Sequence, residues 1–211
     1  MNDIEVLSEE HLDFLREMMN IGAGNAATAF TQMLQCEVEV RIPTVHVLPA
    51  PKAFSILGDP SLPVLCVRMG MVGDAMGALF FIVPDEQKKN LTHLVERATP
   101  GLEKKSPDVD LSVLTEVGNI IAGVYLTAIH DFCGLHIYHS VPTLAIDMIQ
   151  SLLDESFAAL SLQVQTIILI ENEFIVEENR IRTFLLMIPA AQSVKILVNS
   201  IGQAMMAYGA G

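Results

Sequence analysis

Apolar residues recur three and four positions apart through Leu12, Leu15, Met19, Ala23, Ala26, Phe30 and Met33, which is the period of a helix with one buried face. The spacing predicts a long helix running to about Leu34. Ser8 stands where an N-cap belongs, and Glu9 and Glu10 follow in the first turn, where acids suit the positive end of the helix dipole. The pattern then changes. Glu37–Val47 alternates with β-branched residues, and Val64–Met69 and Ala78–Val83 are short apolar runs, so all three read as strands. Asp85–Ala98 returns to a helical period. The same order then recurs: a helix over Asp110–Phe132, strand-like segments near Leu135–Val141, Ala159–Ile170 and Arg182–Ile188, and a helix over Ala190–Ala207.

The recurrence extends to individual residues. A fixed offset of 99 carries Glu17 to Glu116, Asn20 to Asn119, Gly24 to Gly123, Thr28 to Thr127 and Pro43 to Pro142, without a gap. Each copy also closes on an apolar run that reaches a proline, Leu79–Pro84 and Phe184–Pro189, before an amphipathic stretch. A duplicated unit of this kind predicts an α+β fold, layered and pseudo-two-fold symmetric. Antiparallel strands are expected to join across the repeats, with long helices packed on a face. Neither copy carries enough apolar surface to close a core alone, so residues 1–211 are expected to form one domain. Its repeats cover about 1–99 and 106–211, joined by the charged, turn-rich stretch from Thr99-Pro100-Gly101 to Ser106-Pro107.

Composition narrows the classes of partner. A net charge of -13 disfavours nucleic acid and anionic membrane surfaces, both of which need clustered Lys and Arg. A protein with a basic rim fits better. The stretch from Val117 to His130 lacks acids, lysine and arginine, but it falls short of the roughly 20 apolar residues a bilayer span needs, so a buried helix is expected. Cys36, Cys66 and Cys133 form no C-x-x-C pair and leave an odd count, which suits a reducing cytoplasm with the thiols buried as small apolar groups. Met1–Glu10 carries acids and no basic leader, so no signal peptide is expected.

The candidate chemistry lies on the first helix of each copy. Asp13, Glu17, Asn20 and Gly24 are spaced four, three and four apart, and Ser112, Glu116, Asn119 and Gly123 repeat that spacing, so each set shares one helix face. Met18, Met19 and Ile21 flank the first set, and Val117, Ile120 and Ile121 the second. A carboxylate and a carboxamide at an apolar site need a reason. The plain alternative is that Glu and Asn hydrogen-bond a neighbouring loop or mark a solvated helix edge. Retention of both residues at one spacing in two diverged copies favours function. Gly22, Ala23, Gly24, Ala26 and Ala27 are expected to pack tightly against the sheet while letting another backbone approach.

The order Asp or Ser, three residues, Glu, two residues, Asn, twenty-two residues, Pro resembles the signature of the CheC/CheX/FliY phosphatase family, and both copies fit it. The segments Asn20–Ala29 and Glu116–Gly134 resemble the CheC branch most, and the likeness covers nearly the whole chain. The resemblance implies a cytoplasmic chemotaxis phosphatase acting on the aspartyl phosphate of a CheY-type response regulator. Asn20 or Asn119 would orient the attacking water, and Glu17 or Glu116 would pair with a lysine of the regulator. Mg²⁺ would belong to the regulator, with no cofactor on this chain. Asp13 and Ser112 would support helix orientation or docking, while Pro43 and Pro142 would shape the chain after each helix. Ala145-Ile-Asp147-Met148 resembles a segment that docks the CheD deamidase, with Asp147 as the candidate contact or simply an exposed loop acid. The competing implication is a non-catalytic scaffold that binds a regulator or CheD.

Other patterns carry less. Gly22-Ala-Gly24-Asn-Ala-Ala27 imitates a dinucleotide fingerprint, but that motif must open a helix after a strand, whereas this one lies inside a helical period. His136 and His139, three apart on a strand, are expected to face opposite ways and not to form a metal pair. Cys133-Gly134 lacks the arginine-rich setting of a thiol phosphatase.

Overall fold

A computed structural model describes residues 7–98, 107–159 and 166–208, the side chains of 92–98, 107–113 and 156–159 excepted. The first copy runs α1 (Glu9–Leu34), β1 (Val38–Val40), β2 (Thr44–Pro49), α2 (Phe54–Leu57), β3 (Pro63–Gly73), β4 (Gly77–Pro84) and α3 (Asp85–Ala98). The second runs α4 (Pro107–Cys133), β5 (Ile137–His139), β6 (Thr143–Met148), α5 (Ile149–Ala159), β7 (Thr166–Val176), β8 (Asn179–Pro189) and α6 (Ala191–Tyr208). The stretch anticipated as the linker lies outside the described residues up to Ser106, and Pro107 already opens α4.

All eight strands form one sheet in the order β1-β7-β8-β4-β3-β5, with β2 continuing the β1 edge along β7 and β6 continuing the β5 edge along β3. Every pairing is antiparallel. The outer strands are exchanged: β1 and β2 of the first copy hydrogen-bond to β7 of the second, and β5 and β6 of the second to β3 of the first. Registers match as well. Val38 opposite Val176 becomes Ile137 opposite Gly73, and Thr44 opposite Glu171 becomes Thr143 opposite Arg68. The two-fold axis passes the central β4–β8 ladder at Phe81 and Leu185, which oppose each other. The ladders equate Phe80 with Phe184, since Arg68 faces Phe80 as Glu171 faces Phe184. The two closing prolines, Pro84 and Pro189, are therefore one residue out of structural register.

The sheet is covered on both faces. Leu79, Phe81, Val83, Leu185 and Met187 meet α1, α4 and α6 in the larger core, while Phe80, Ile82, Phe184 and Leu186 meet Leu57 of α2 and Ile149, Leu152 and Leu153 of α5 in the smaller one. Strict alternation along β4 and β8 sends neighbours to opposite cores. The short helices α2 and α5 were not anticipated. Their apolar positions are too few for a clear period and sit in a stretch that otherwise reads as loop.

The strand boundaries need two corrections. Glu37–Val47 is two strands, broken at Arg41–Pro43 because proline has no N–H to give the ladder, and Leu135–Val141 is likewise only the first of the pair β5 and β6. The anticipated strand Ala159–Ile170 starts late and ends late: Ala159 closes α5, residues 160–165 lie outside the described ones, and β7 extends to Val176. Glu171, Asn172 and Glu173 masked this extension, yet each is partnered. Arg182 bonds Glu171 at 2.5 Å, Arg41 reaches Glu173 at 3.1 Å, and the Tyr125 hydroxyl donates to the buried Asn172 carboxamide oxygen.

The long helices α1 and α4 pack antiparallel, since Phe14 meets Phe132, Met18 meets Cys133 and Gly22 meets Tyr125. A Cβ on Gly22 would stand 2.9 Å from the Tyr125 ring, so hydrogen is the side chain that fits. At α1, Ser8 caps the helix as anticipated, with His11 completing a reciprocal box. The equivalent C-terminal residues of α1 and α4, Gln35 and Gly134, both adopt the left-handed conformation, at φ 51 and φ 68. Glycine does so without strain and glutamine does not. Gln35→Gly is accordingly expected to stabilise by about 0.5–1 kcal/mol and raise the melting temperature by roughly 2–4 °C; a lower midpoint would contradict this account of the cap. Tyr125→Phe leaves the Asn172 oxygen without its donor and is expected to destabilise by about 1–3 kcal/mol in a denaturant titration, whereas an unchanged midpoint would show that bond to be idle.

Candidate functional site

The two polar stripes lie on the sides of α1 and α4 turned away from the sheet. Glu17 and Glu116 are exposed, and Asn20 and Asn119 are half-buried at the helix surface. None of these four forms a hydrogen bond or ion pair with a described residue. A bond to a neighbouring loop therefore does not explain them. The expected apolar setting also needs correcting: Met18, Met19, Val117 and Ile121 are buried in the core beneath the helices, and only Ile21 and the half-buried Ile120 accompany the stripe outward. Two side chains three apart on a helix lie about 5–6 Å from each other at Cβ, so Glu and Asn of one copy can address one docked group together.

The flanking positions divide. Asp13 is exposed and ion-paired to Arg16 at 2.6 Å, a surface pair of small energetic weight. Ser112 lies on α4, and its side chain is outside the described ones. Gly24 is exposed, and a Cβ there would meet nothing within 4 Å; at Gly123 it would meet only the His139 ring nitrogen, 3.9 Å away. The tight packing expected of the small residues thus applies to Gly22, Ala23 and Ala26, which are buried, and not to Gly24. Gly24 and Gly123 stand near the middle of the antiparallel pair, close along the chain to the Gly22–Tyr125 contact. Glu17 and Glu116, each seven residues from its glycine, stand about 10 Å to either side along the helix axes. The chain therefore presents two separate polar stripes on one surface.

Pro43 is buried and Pro142 half-buried in the β1–β2 and β5–β6 breaks. Each follows a large apolar residue that the sequence reading passed over: Ile42 is 79% and Val141 85% exposed. The offset of 99 relates them too, and that was the signal available. Asp147 is not a loop acid. It ends β6, and its carboxylate accepts from the Met148 amide at 2.7 Å and the Ser151 hydroxyl at 3.1 Å, fixing the start of α5. This places it with the smaller core's face and apart from both stripes.

The histidines also depart from expectation. β5 begins only at Ile137, so His136 is off the strand, and His136 and His139 line one cavity of about 430 Å³ together with His130, Thr127 and Gly123. Among the described residues no three His, Cys, Asp or Glu side chains are placed to hold a metal ion. Burial pushes the Cys133 thiol up to about 11 and Cys66 up to about 12, so neither offers a thiolate near neutral pH. The Gly22–Ala27 imitation of a dinucleotide fingerprint lies within α1, with no strand ahead of it. No helix among the described residues is long and apolar enough to cross a membrane.

Known proteins share this arrangement. The model of the CheC-like family matches residues 10–47 and 109–146, the two segments that run from each long helix through the exchanged strands. The CheY-P phosphatase CheC of Bacillus subtilis is 30% identical over 203 residues, covering 94% of this chain and 97% of that protein. In fold, FliY of Thermotoga maritima superposes with a TM-score of 0.72 at 19% identity, covering 94% of this chain and 98% of the other. The FliM middle domain of Helicobacter pylori does so at 0.66 and 13%, covering 92% and 99%. Repeat and fold thus coincide with one known group, and the chain belongs to the CheC-like family of chemotaxis phosphatases.

Proposed function

We propose that this chain hydrolyses the aspartyl phosphate of a CheY-type response regulator, with one site on α1 and one on α4. The observation that carries the reading is the doubled Glu-x-x-Asn pair on the outer side of each long helix, without a partner among the described residues in either copy. Retention of both residues at one spacing in two copies that have otherwise diverged favours function over a solvated helix edge. The likeness to a CheY-P phosphatase supports the reading further.

Hydrolysis of an acyl phosphate asks for position more than for a strong base. The Asn carboxamide enters the regulator's site and its oxygen accepts a hydrogen bond from water, holding that water in line with the phosphorus. Water oxygen bonds to phosphorus, the bond to the aspartate oxygen breaks, and the aspartate leaves as carboxylate with inorganic phosphate released. Glu17 or Glu116 forms an ion pair with a lysine beside the phosphorylated aspartate, fixing the depth of docking. Mg²⁺ on the regulator neutralises the phosphoryl oxygens, so this chain needs no metal of its own. Asp13 and Ser112 support helix orientation or docking, and residues 1–211 act as one domain.

A binding-only role is the second reading, because the FliM middle domain shares the fold. Docking of CheD through Asp147 would belong to that role. Phosphate release from a phosphorylated regulator with Mg²⁺ separates the two. Sub-stoichiometric protein is expected to accelerate release over the regulator's own decay, and Asn20→Ala with Asn119→Ala to remove at least about 100-fold of that acceleration, with the unfolding midpoint unchanged. Full-speed release by the double variant would overturn the assigned roles, and binding by the wild type without any acceleration would favour the scaffold.

A further inference from the structure

The strand after each long helix runs back along it. The His136 and His130 rings stand 4.6 Å apart, and three residues later the His139 ring reaches within 3.9 Å of the Cβ position of Gly123. Three strand residues at about 3.3 Å each thus match seven helix residues at about 1.5 Å each. Continued at the same rise past the end of β5 at His139, the two further residues to Val141 would span roughly four helix residues, which puts Val141 near the level of Asn119. The first copy is tied in the same way, with the Thr31 hydroxyl accepting from the Val38 amide at 3.1 Å. The offset of 99 makes Thr31 the counterpart of His130, so Ile42 comes level with Asn20.

Ile42 and Val141 are the two most exposed large apolar side chains among the described residues. Single exposed apolar residues are ordinary. A pair at equivalent positions, both β-branched and each level with the candidate Asn, is not scattered. Their backbones are held rather than loose: the Arg41 amide donates to the Glu173 carbonyl at 3.0 Å, the Ser140 amide to the Gly70 carbonyl at 2.8 Å, and a proline follows each. Beside them Ile21 is 43% exposed, Ile120 is half-buried, and no side chain rises from Gly24 or Gly123.

We propose that Ile42 and Val141, backed by Ile21 and Ile120, form an apolar rim at each site on which the phosphorylated regulator seats. The inference rests on the phosphatase reading and adds to it the surface that fixes affinity. Apolar contact beside the Glu carboxylate excludes water from its ion pair with the regulator's lysine, where a lower local dielectric strengthens the attraction.

The test titrates the protein with a CheY-type regulator loaded with beryllofluoride, a stable mimic of the aspartyl phosphate, and measures turnover in parallel. Ile42→Asp with Val141→Asp is expected to weaken Kd and raise KM by about tenfold or more, with kcat within about twofold and the unfolding midpoint unchanged. Wild-type Kd and KM in the double Asp variant would overturn the rim and leave the phosphatase reading standing. Failure of the wild type itself to bind the loaded regulator would overturn both.

Discussion

The backbone ladders that join each copy's short outer strands to the long strand of the other copy are the constraint on which the rest of the structure depends. β3 and β7 are 11 residues each, and β4 and β8 cover only one edge of each. Without β5–β6 and β1–β2 their other edges would present rows of unpaired N–H and C=O groups. The exchange satisfies those groups and dictates where α1 and α4 lie, because each long helix is tied within a few residues to the strand that crosses over. It also brings the two helices side by side at the pseudo-two-fold axis, where Gly22 admits the Tyr125 ring.

From that arrangement the sites follow with little further machinery. A helix buried on one face by the larger core has one face left, and the spacing of Glu, Asn and Gly places all three on it. The two copies have diverged beneath the surface: Met19 and Gly22 in α1 correspond to Gly118 and Ile121 in α4, with Gly22 set against the Tyr125 ring and Gly118 against Val67 of β3. Above the surface the Glu-x-x-Asn pair did not change. Core volume can be traded between neighbouring positions, whereas in the proposed mechanism the carboxamide has to reach a partner's phosphoryl group and its position is fixed. The -13 charge is consistent with docking a basic rim.

The duplication, the long helices and the candidate stripes were legible in the sequence because they rest on period and spacing, which survive divergence. Strands joined across the copies were anticipated from symmetry, and the apolar runs Leu79–Val83 and Phe184–Ile188 suit β4 and β8 to the centre of the sheet. Harder to read were elements that owe their form to tertiary partners. Glu171, Asn172 and Glu173 do not look like sheet residues until Arg182, Arg41 and Tyr125 are placed beside them. The helix α5 hides in a stretch that Asp147 caps from the preceding strand. Ile42 and Val141 were in view as an aligned pair, but exposure is a property of the fold and not of the residue type. The histidine cavity was misjudged for a similar reason, since one residue of strand boundary decides which way His136 faces.

Hydrogen exchange of the protein with and without the beryllofluoride-loaded regulator tests the central claim most directly. The account predicts new protection confined to two surfaces, residues 13–24 with 40–44 and residues 112–123 with 139–143, while α2 and α5 on the opposite face exchange as before. Protection centred on α2, α5 and the β6 edge, with both long-helix stripes unchanged, would contradict the assignment of the Glu-x-x-Asn faces as the sites where the regulator is met.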